Sequence, residues 1–146
     1  MARHFTLVEA SALLPEVEPA LGEAVKLKSS YDEAEEQMQQ YTQRVMMLGG
    51  VQINREEILK HRGRRDACAS RLRESIENIQ SYGCLVKDLD IGLVDFPTFF
   101  NGQVVLLCWR LGEAGIGFWH GLEEGFRGRK PIDREFLDNH QGDAAH

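Results

Sequence analysis

Paired cysteines, long apolar runs and blocks of one-signed charge are all missing from this sequence, and each absence removes a class of protein. The three cysteines, Cys68, Cys84 and Cys108, are odd in number, widely spaced and contain no Cys-x-x-Cys pair. A disulfide framework and a structural zinc site of the paired-cysteine kind are therefore not expected. No run approaches the roughly eighteen apolar residues that a membrane span needs. Met1-Ala2-Arg3-His4-Phe5 leads into polar residues, with neither an apolar stretch nor a small-residue cleavage pattern, so a cytoplasmic location is expected. The net charge of −6 is spread over both signs, which gives no reason to expect a nucleic-acid or anionic-membrane partner.

What is present is an ordinary globular composition, 42% hydrophobic and 27% charged, over a length of 146 residues suited to one core. A single domain over residues 1–132 is expected, helical over 5–82 and β-rich over 84–132, with 133–146 a flexible tail. Thr6 and Glu9 have capping-box spacing and predict a short helix to about Leu14. Pro15 then suits the first turn of a second helix, inside which Pro19 predicts a kink or a later start. From Val17 a heptad runs through Ala20, Ala24, Leu27, Tyr31, Ala34, Met38, Tyr41, Val45 and Leu48, every position apolar or aromatic. That is a long helix with one narrow seam, as in a coiled coil, and Gly49-Gly50 ends it. Leu21, Val25, Met46 and Met47 add apolar surface beside the seam.

A return helix opens at Asn54, with Glu57 at capping-box spacing, and closes at Tyr82-Gly83 along a stripe of Ile58, Cys68 or Ala69, Leu72, Ile76 and Ile79. The short connection makes the two helices antiparallel. Residues 16–48 hold seven acidic and three basic side chains, residues 54–82 seven basic and five acidic, so complementary flanks are expected. Beyond Gly83 the pattern changes. Leu85 to Asp90 alternates as a half-buried strand, Asp95-Phe96-Pro97 reads as a break in a loop, and Asn101-Gly102 between apolar runs predicts a type I′ hairpin. Val104 to Trp109 is apolar on both faces and is expected to be covered on both by the base of the helical hairpin. Ile116 to Leu122 is a further strand or the lead into a short helix. The fold class is α+β, a long antiparallel helical hairpin with a small, mainly antiparallel sheet.

Lys87-Asp88-Leu89-Asp90, Gly92 to Pro97, Leu107 to Glu113, Trp119-His120, and Gly125-Phe126-x-Gly128-Arg129-x-Pro131-Ile132, together with the opening Phe5-Thr6-Leu7 to Leu14-Pro15, form a set of short motifs. That set resembles the prokaryotic domain-of-unknown-function family numbered 2203, DUF2203. Phe118 stands where that family often has Tyr. The resemblance implies no established activity and so assigns no catalytic residue.

Asp88, Asp90, Asp95, Arg110, Glu113, His120, Glu123, Glu124, Arg127 and Arg129 are the candidate polar cluster, with Trp109 and Trp119 as candidate aromatic lining. If the segment is helical, His120 and Glu124 at i and i+4, with one Asp, would hold a divalent metal, the one cofactor the residues suggest. The plainer alternative has the carboxylates capping turns, Arg110 paired with Asp88 or Asp90 across strands, and His120 satisfied by a backbone carbonyl. Cys68 and Cys108 read as core, although Cys84 or Cys108 acting as a nucleophile with His120 is conceivable. The basic run Lys60 to Arg65 lies opposite the acidic Asp32 to Glu36, which favours internal neutralisation over phosphate binding, and only Arg62 and Arg65 of the run point to the seam, where Tyr41 could receive one. Two functions fit: a non-enzymatic module that self-associates, as a dimer, or docks a partner through the hairpin, and a small enzyme or metabolite binder that uses the cluster.

Overall fold

In the computed structural model, which describes residues 3–50 and 54–144, the chain starts as its first residues dictate. Thr6 Oγ1 accepts the Glu9 N–H at 3.1 Å, and Glu9 Oε1 accepts the Thr6 N–H at 2.9 Å, closing the capping box. The helix it opens, α1, runs over Leu7–Met47, about 60 Å at 1.5 Å per residue. The two helices expected on either side of Pro15 are therefore one, with Pro15 and Pro19 both inside it. Both prolines are exposed, on the side of the helix that faces solvent, while Ala10, Val17, Leu21 and Ala24 are fully buried. Burying that stripe outweighs a proline penalty of about 3 kcal/mol each.

The heptad seam is real but changes partner along its length. Val17, Ala24, Leu27, Ala34 and Tyr41 are buried, whereas Leu48 lies past the helix end and is exposed. Leu21 and Val25, expected to be free flanking surface, belong instead to the core shared with the sheet. Gly49 and Gly50, with φ of 69° and 74°, turn the chain. Helix α2 then returns over Arg55–Gln80, its first turn capped by Asn54 Oδ1, which accepts the Glu57 N–H at 3.2 Å. The Asn54 N–H goes not to Glu57, as a full capping box requires, but to the Tyr41 hydroxyl at 3.0 Å. That hydroxyl donates in turn to the Asn54 carbonyl at 3.3 Å. The ring that meets Tyr41 is His61, at 5.4 Å between centroids, rather than an arginine. Arg64, Arg65 and Arg71 each lie 3.8 Å from Glu33, Glu35 and Glu23 of α1, so the complementary flanks align the helices. No helix among the described residues is long and apolar enough to cross a membrane.

The sheet is antiparallel, with strands β1 (Leu85–Asp88), β2 (Leu93–Phe100), β3 (Gln103–Arg110), β4 (Phe118–Gly121) and β5 (Lys130–Pro131) in spatial order, and β6 (His140–Gln141) beside β2. Asn101 and Gly102, with φ of 52° and 79°, make the two-residue turn that sets Phe100 opposite Gln103. Asp95-Phe96-Pro97 is not a loop; all three residues are buried in the middle of β2. Pro97 is tolerated there because the N–H and C=O of a strand residue point to the same side. Its carbonyl accepts the Phe5 N–H at 2.7 Å in the gap between β1 and β6, so the missing donor falls where no ladder runs.

The segment past residue 132, expected to fray, forms a helix and a strand that end at Gln141; residues 145–146 lie outside the described residues. Helix α3 (Arg134–Asn139) is capped by Asp133 and buries Phe136 against the rings of Phe100 and Trp119, at 4.8 and 5.0 Å. Strand β6 then pairs with Phe99 and Phe100. One buried aromatic and one cap leave too short a pattern for periodicity to register.

Candidate functional site

Alternation along the strands divides the sheet into two chemistries. Val94, Phe96, Val105, Leu107 and Trp109 share a core with Val17, Leu21 and Ala24 of α1. Their neighbours Asp95, Leu106 and Cys108 face the other way. The helices therefore cover one face of β3, not both. Asp95 stands opposite Cys108, and His120 opposite Leu106, two residues before Cys108. Three polar side chains from three adjacent strands thus meet on one face, and Asp95, Cys108 and His120 are 1%, 0% and 3% exposed.

His120 Nδ1 lies 2.8 Å from the Gly121 carbonyl, and Nε2 lies 3.1 Å from both carboxylate oxygens of Asp95. A carbonyl only accepts, so Nδ1 carries a proton and donates it. The remaining nitrogen and the carboxylate then share one further proton, as imidazolium and carboxylate or as imidazole and carboxylic acid. Burial pushes the Asp95 carboxyl above its ordinary value, and the charge and hydrogen bond of His120 offset only part of this. Burial, reinforced by the Asp95 charge, pushes the Cys108 thiol up to about 12. A free Cys108 thiolate with His120 as its base is thus not available at neutral pH.

Arg129 closes one side. Its Nη1 and Nη2 donate to Glu113 Oε1 and Oε2 at 2.9 and 3.0 Å, its guanidinium lies 4.0 Å from the Phe118 ring and 4.3 Å from the Phe126 ring, and Nη1 is 3.9 Å from Cys108 Sγ. Burial alone would raise the Glu113 carboxyl, but the Arg129 hydrogen bonds and the Arg110 N–H hold it below the usual range. Beside the Asp95/His120 pair a cleft of about 250 Å³ opens, lined by both residues and by Asp88, Leu93, Leu106, Leu122, Glu124 and Phe126. Pockets for drug-sized ligands start near 300 Å³, so this one suits something smaller.

A family model described as an uncharacterized conserved protein, DUF2203, matches residues 3–132. The chain belongs to that family. No curated protein and no solved structure matches it. In this DUF2203 chain the matched span holds all of the cleft and ends just before α3.

The remaining candidates divide sharply. Asp88 lines the cleft, but its Oδ1 caps a turn by accepting the N–H groups of Asp90 and Ile91 at 2.8 and 3.3 Å. Glu124 lines it too, yet its Oε1 accepts from Lys130 Nζ at 2.6 Å and from the Gly121 N–H at 2.8 Å. The helical His120/Glu124 metal pair is therefore not formed: His120 is on a strand and Glu124 turns back to Gly121. Asp90 lies at the surface beside Lys28. Arg110 meets neither Asp88 nor Asp90; its N–H donates to Glu113 Oε1 at 2.7 Å and its guanidinium lies 5.6 Å from the Phe126 ring. Glu123 and Arg127 are exposed. Trp109 and Trp119 do not line the cleft. Both sit on the opposite face, Trp109 in the helix-packed core and Trp119 stacked on Phe136. Cys68 is half-buried rather than core. The residue that composition alone undervalued is Cys108. Counting back equally on both strands from Asn101-Gly102 places it opposite Asp95, a signal hidden by taking Asp95 to Pro97 as loop.

Proposed function

We propose that the chain works through the outer face of its sheet, holding a small polar ligand in the cleft and exchanging a proton with it through the Asp95/His120 pair. The observation that supports this is the convergence of two buried ionisable groups on one concavity. A buried carboxyl and imidazole that hold one proton between them have a group on either side able to take it up or pass it to a ligand in the cleft. A thermal-shift screen of small carboxylic acids, amines and phosphate esters tests it, run on the parent, on His120→Gln and on Leu122→Trp, whose ring would fill the cleft mouth. Compounds should raise the melting temperature of the parent and do so far less for either variant. A screen without such compounds, or shifts that persist in both variants, would overturn the reading.

The hairpin supports a second role, self-association. Tyr31, Ala69, Leu72, Arg73, Ile76 and Glu77 line an open groove of about 260 Å³ whose exposed surface is mostly apolar, and Met46, Met47 and Leu59 are exposed near the tip. A second copy would bury this surface as a four-helix arrangement. Light scattering at micromolar concentration should return twice the 16.6 kDa chain mass. A monomer mass would reject the dimer.

A further inference from the structure

We infer that Asp95, Cys108 and His120 form a site for one divalent transition metal of the zinc class, with its open coordination position toward the cleft. The inference rests on the ligand cleft proposed above but puts a metal ion in place of the proton shared by Asp95 and His120, so that the cleft gains an electrophile instead of a proton donor.

Four features carry it. First, one ligand atom from each of the three side chains lies within 4.8 Å of the others. A tetrahedral ion with bonds of about 2.0 Å to N and O and about 2.3 Å to S needs ligand atoms roughly 3.3 to 3.6 Å apart, so small side-chain rotations suffice. Second, Nδ1 of His120 donates to the Gly121 carbonyl at 2.8 Å, which leaves the lone pair of neutral Nε2 aimed at the Asp95 oxygens 3.1 Å away. Two lone-pair donors facing each other need a cation between them, either a proton or a metal. A backbone carbonyl on the far nitrogen is the usual means of orienting a histidine ligand.

Third, the donor set selects the ion. One thiolate, one carboxylate and one imidazole suit zinc or its first-row neighbours, and disfavour magnesium and calcium, which want oxygen alone. With a divalent ion the two anionic ligands and the neutral imidazole sum to zero charge, the only total that sits cheaply in a buried site. Fourth, Arg129 Nη1, 3.9 Å from Cys108 Sγ, is placed to stabilise the thiolate. Glu113 balances its charge, and the Phe118 and Phe126 rings hold it in place. All three ligands ride on paired strands, so their backbone positions are fixed and only side-chain rotations are needed to close on an ion.

The test uses chelator-stripped protein titrated with Co²⁺ and Zn²⁺. One equivalent of Co²⁺ should bind and give a thiolate-to-cobalt charge-transfer band together with intense tetrahedral ligand-field bands. Cys108→Ser should abolish the charge-transfer band while Cys68→Ser keeps it, and His120→Gln should weaken affinity at least about tenfold. X-ray absorption of the zinc-loaded parent needs no variant to fold: it should show one sulfur among nitrogen and oxygen neighbours. No stoichiometric metal, a charge-transfer band that survives Cys108→Ser, or a shell without sulfur would each overturn the site. If metal fails to bind but the small-molecule hits still depend on His120 and Leu122, the metal site falls and the cleft stands. If metal binds and the screen is empty, the reverse holds.

Discussion

His120 Nε2 is equidistant from the two carboxylate oxygens of Asp95, at 3.1 Å from each. Both groups are almost wholly buried, so neither can turn to water if the other is removed. In chelator-treated protein Asp95→Ala is expected to cost about 3–5 kcal/mol, the usual penalty for breaking a buried pair from one side. Asp95→Leu combined with His120→Leu should recover most of that loss, because no polar group is then left unpaired. Urea unfolding measures both. A single-variant loss below about 1 kcal/mol would show that the pair is wetter than its geometry states.

Glu113 gives a pH signature. Its carboxyl is held below the ordinary 4.5 in the folded chain, so the unfolded state binds its proton first as pH falls. The stability Glu113 contributes is therefore present above 4.5 and is lost as pH drops through the lower folded value. Glu113→Gln should be less stable than the parent at pH 7 by about 1–2 kcal/mol, and the gap should narrow as pH falls below 4.5. A gap independent of pH would assign the loss to packing instead.

Legibility in the sequence tracked the length of each pattern. The heptad from Val17 and the turn at Asn101-Gly102 were readable because repetition or a strict φ requirement leaves few alternatives. Pro15 and Pro97 misled for one reason: a proline's local cost is visible in sequence, while the tertiary gain that outweighs it, or the vacant edge that excuses it, is not. The site was half visible. Asp95 and His120 are both in the candidate cluster, but the face each occupies depends on a strand whose presence Pro97 obscures, and the same alternation puts Trp109 and Trp119, the candidate lining, on the opposite face.

Tyr41 ties the two long helices together near their turn by accepting from the Asn54 N–H and donating to the Asn54 carbonyl. Tyr41→Phe removes both bonds without changing the buried ring. A loss of about 1–2 kcal/mol is expected, concentrated at the tip. Hydrogen exchange should show faster turnover at Asn54 and in the first turn of α2, with amides of the sheet unaffected; uniform acceleration would mean that the hairpin and sheet unfold as one unit.

The family match stops at residue 132, yet the fold depends on residues beyond that point. Phe136 is 1% exposed, stacked between Phe100 and Trp119, and β6 lengthens the edge of β2. Asp143 accepts the His4 N–H at 3.0 Å, and His140 Nε2 accepts the Leu7 N–H at 2.9 Å, so the segment also fastens the start of α1. Phe136→Ala should cost about 3–5 kcal/mol, as large aromatic truncations in a core do. Removal of residues 133–146 should cost at least as much, since it also unpairs the edge of β2. Trp119 reports the event directly: it faces Phe136 at 5.0 Å, and its fluorescence should shift to the red as water reaches the indole. A truncated chain with the parent's melting temperature and emission maximum would mean that α3 and β6 rest on the sheet without supporting it.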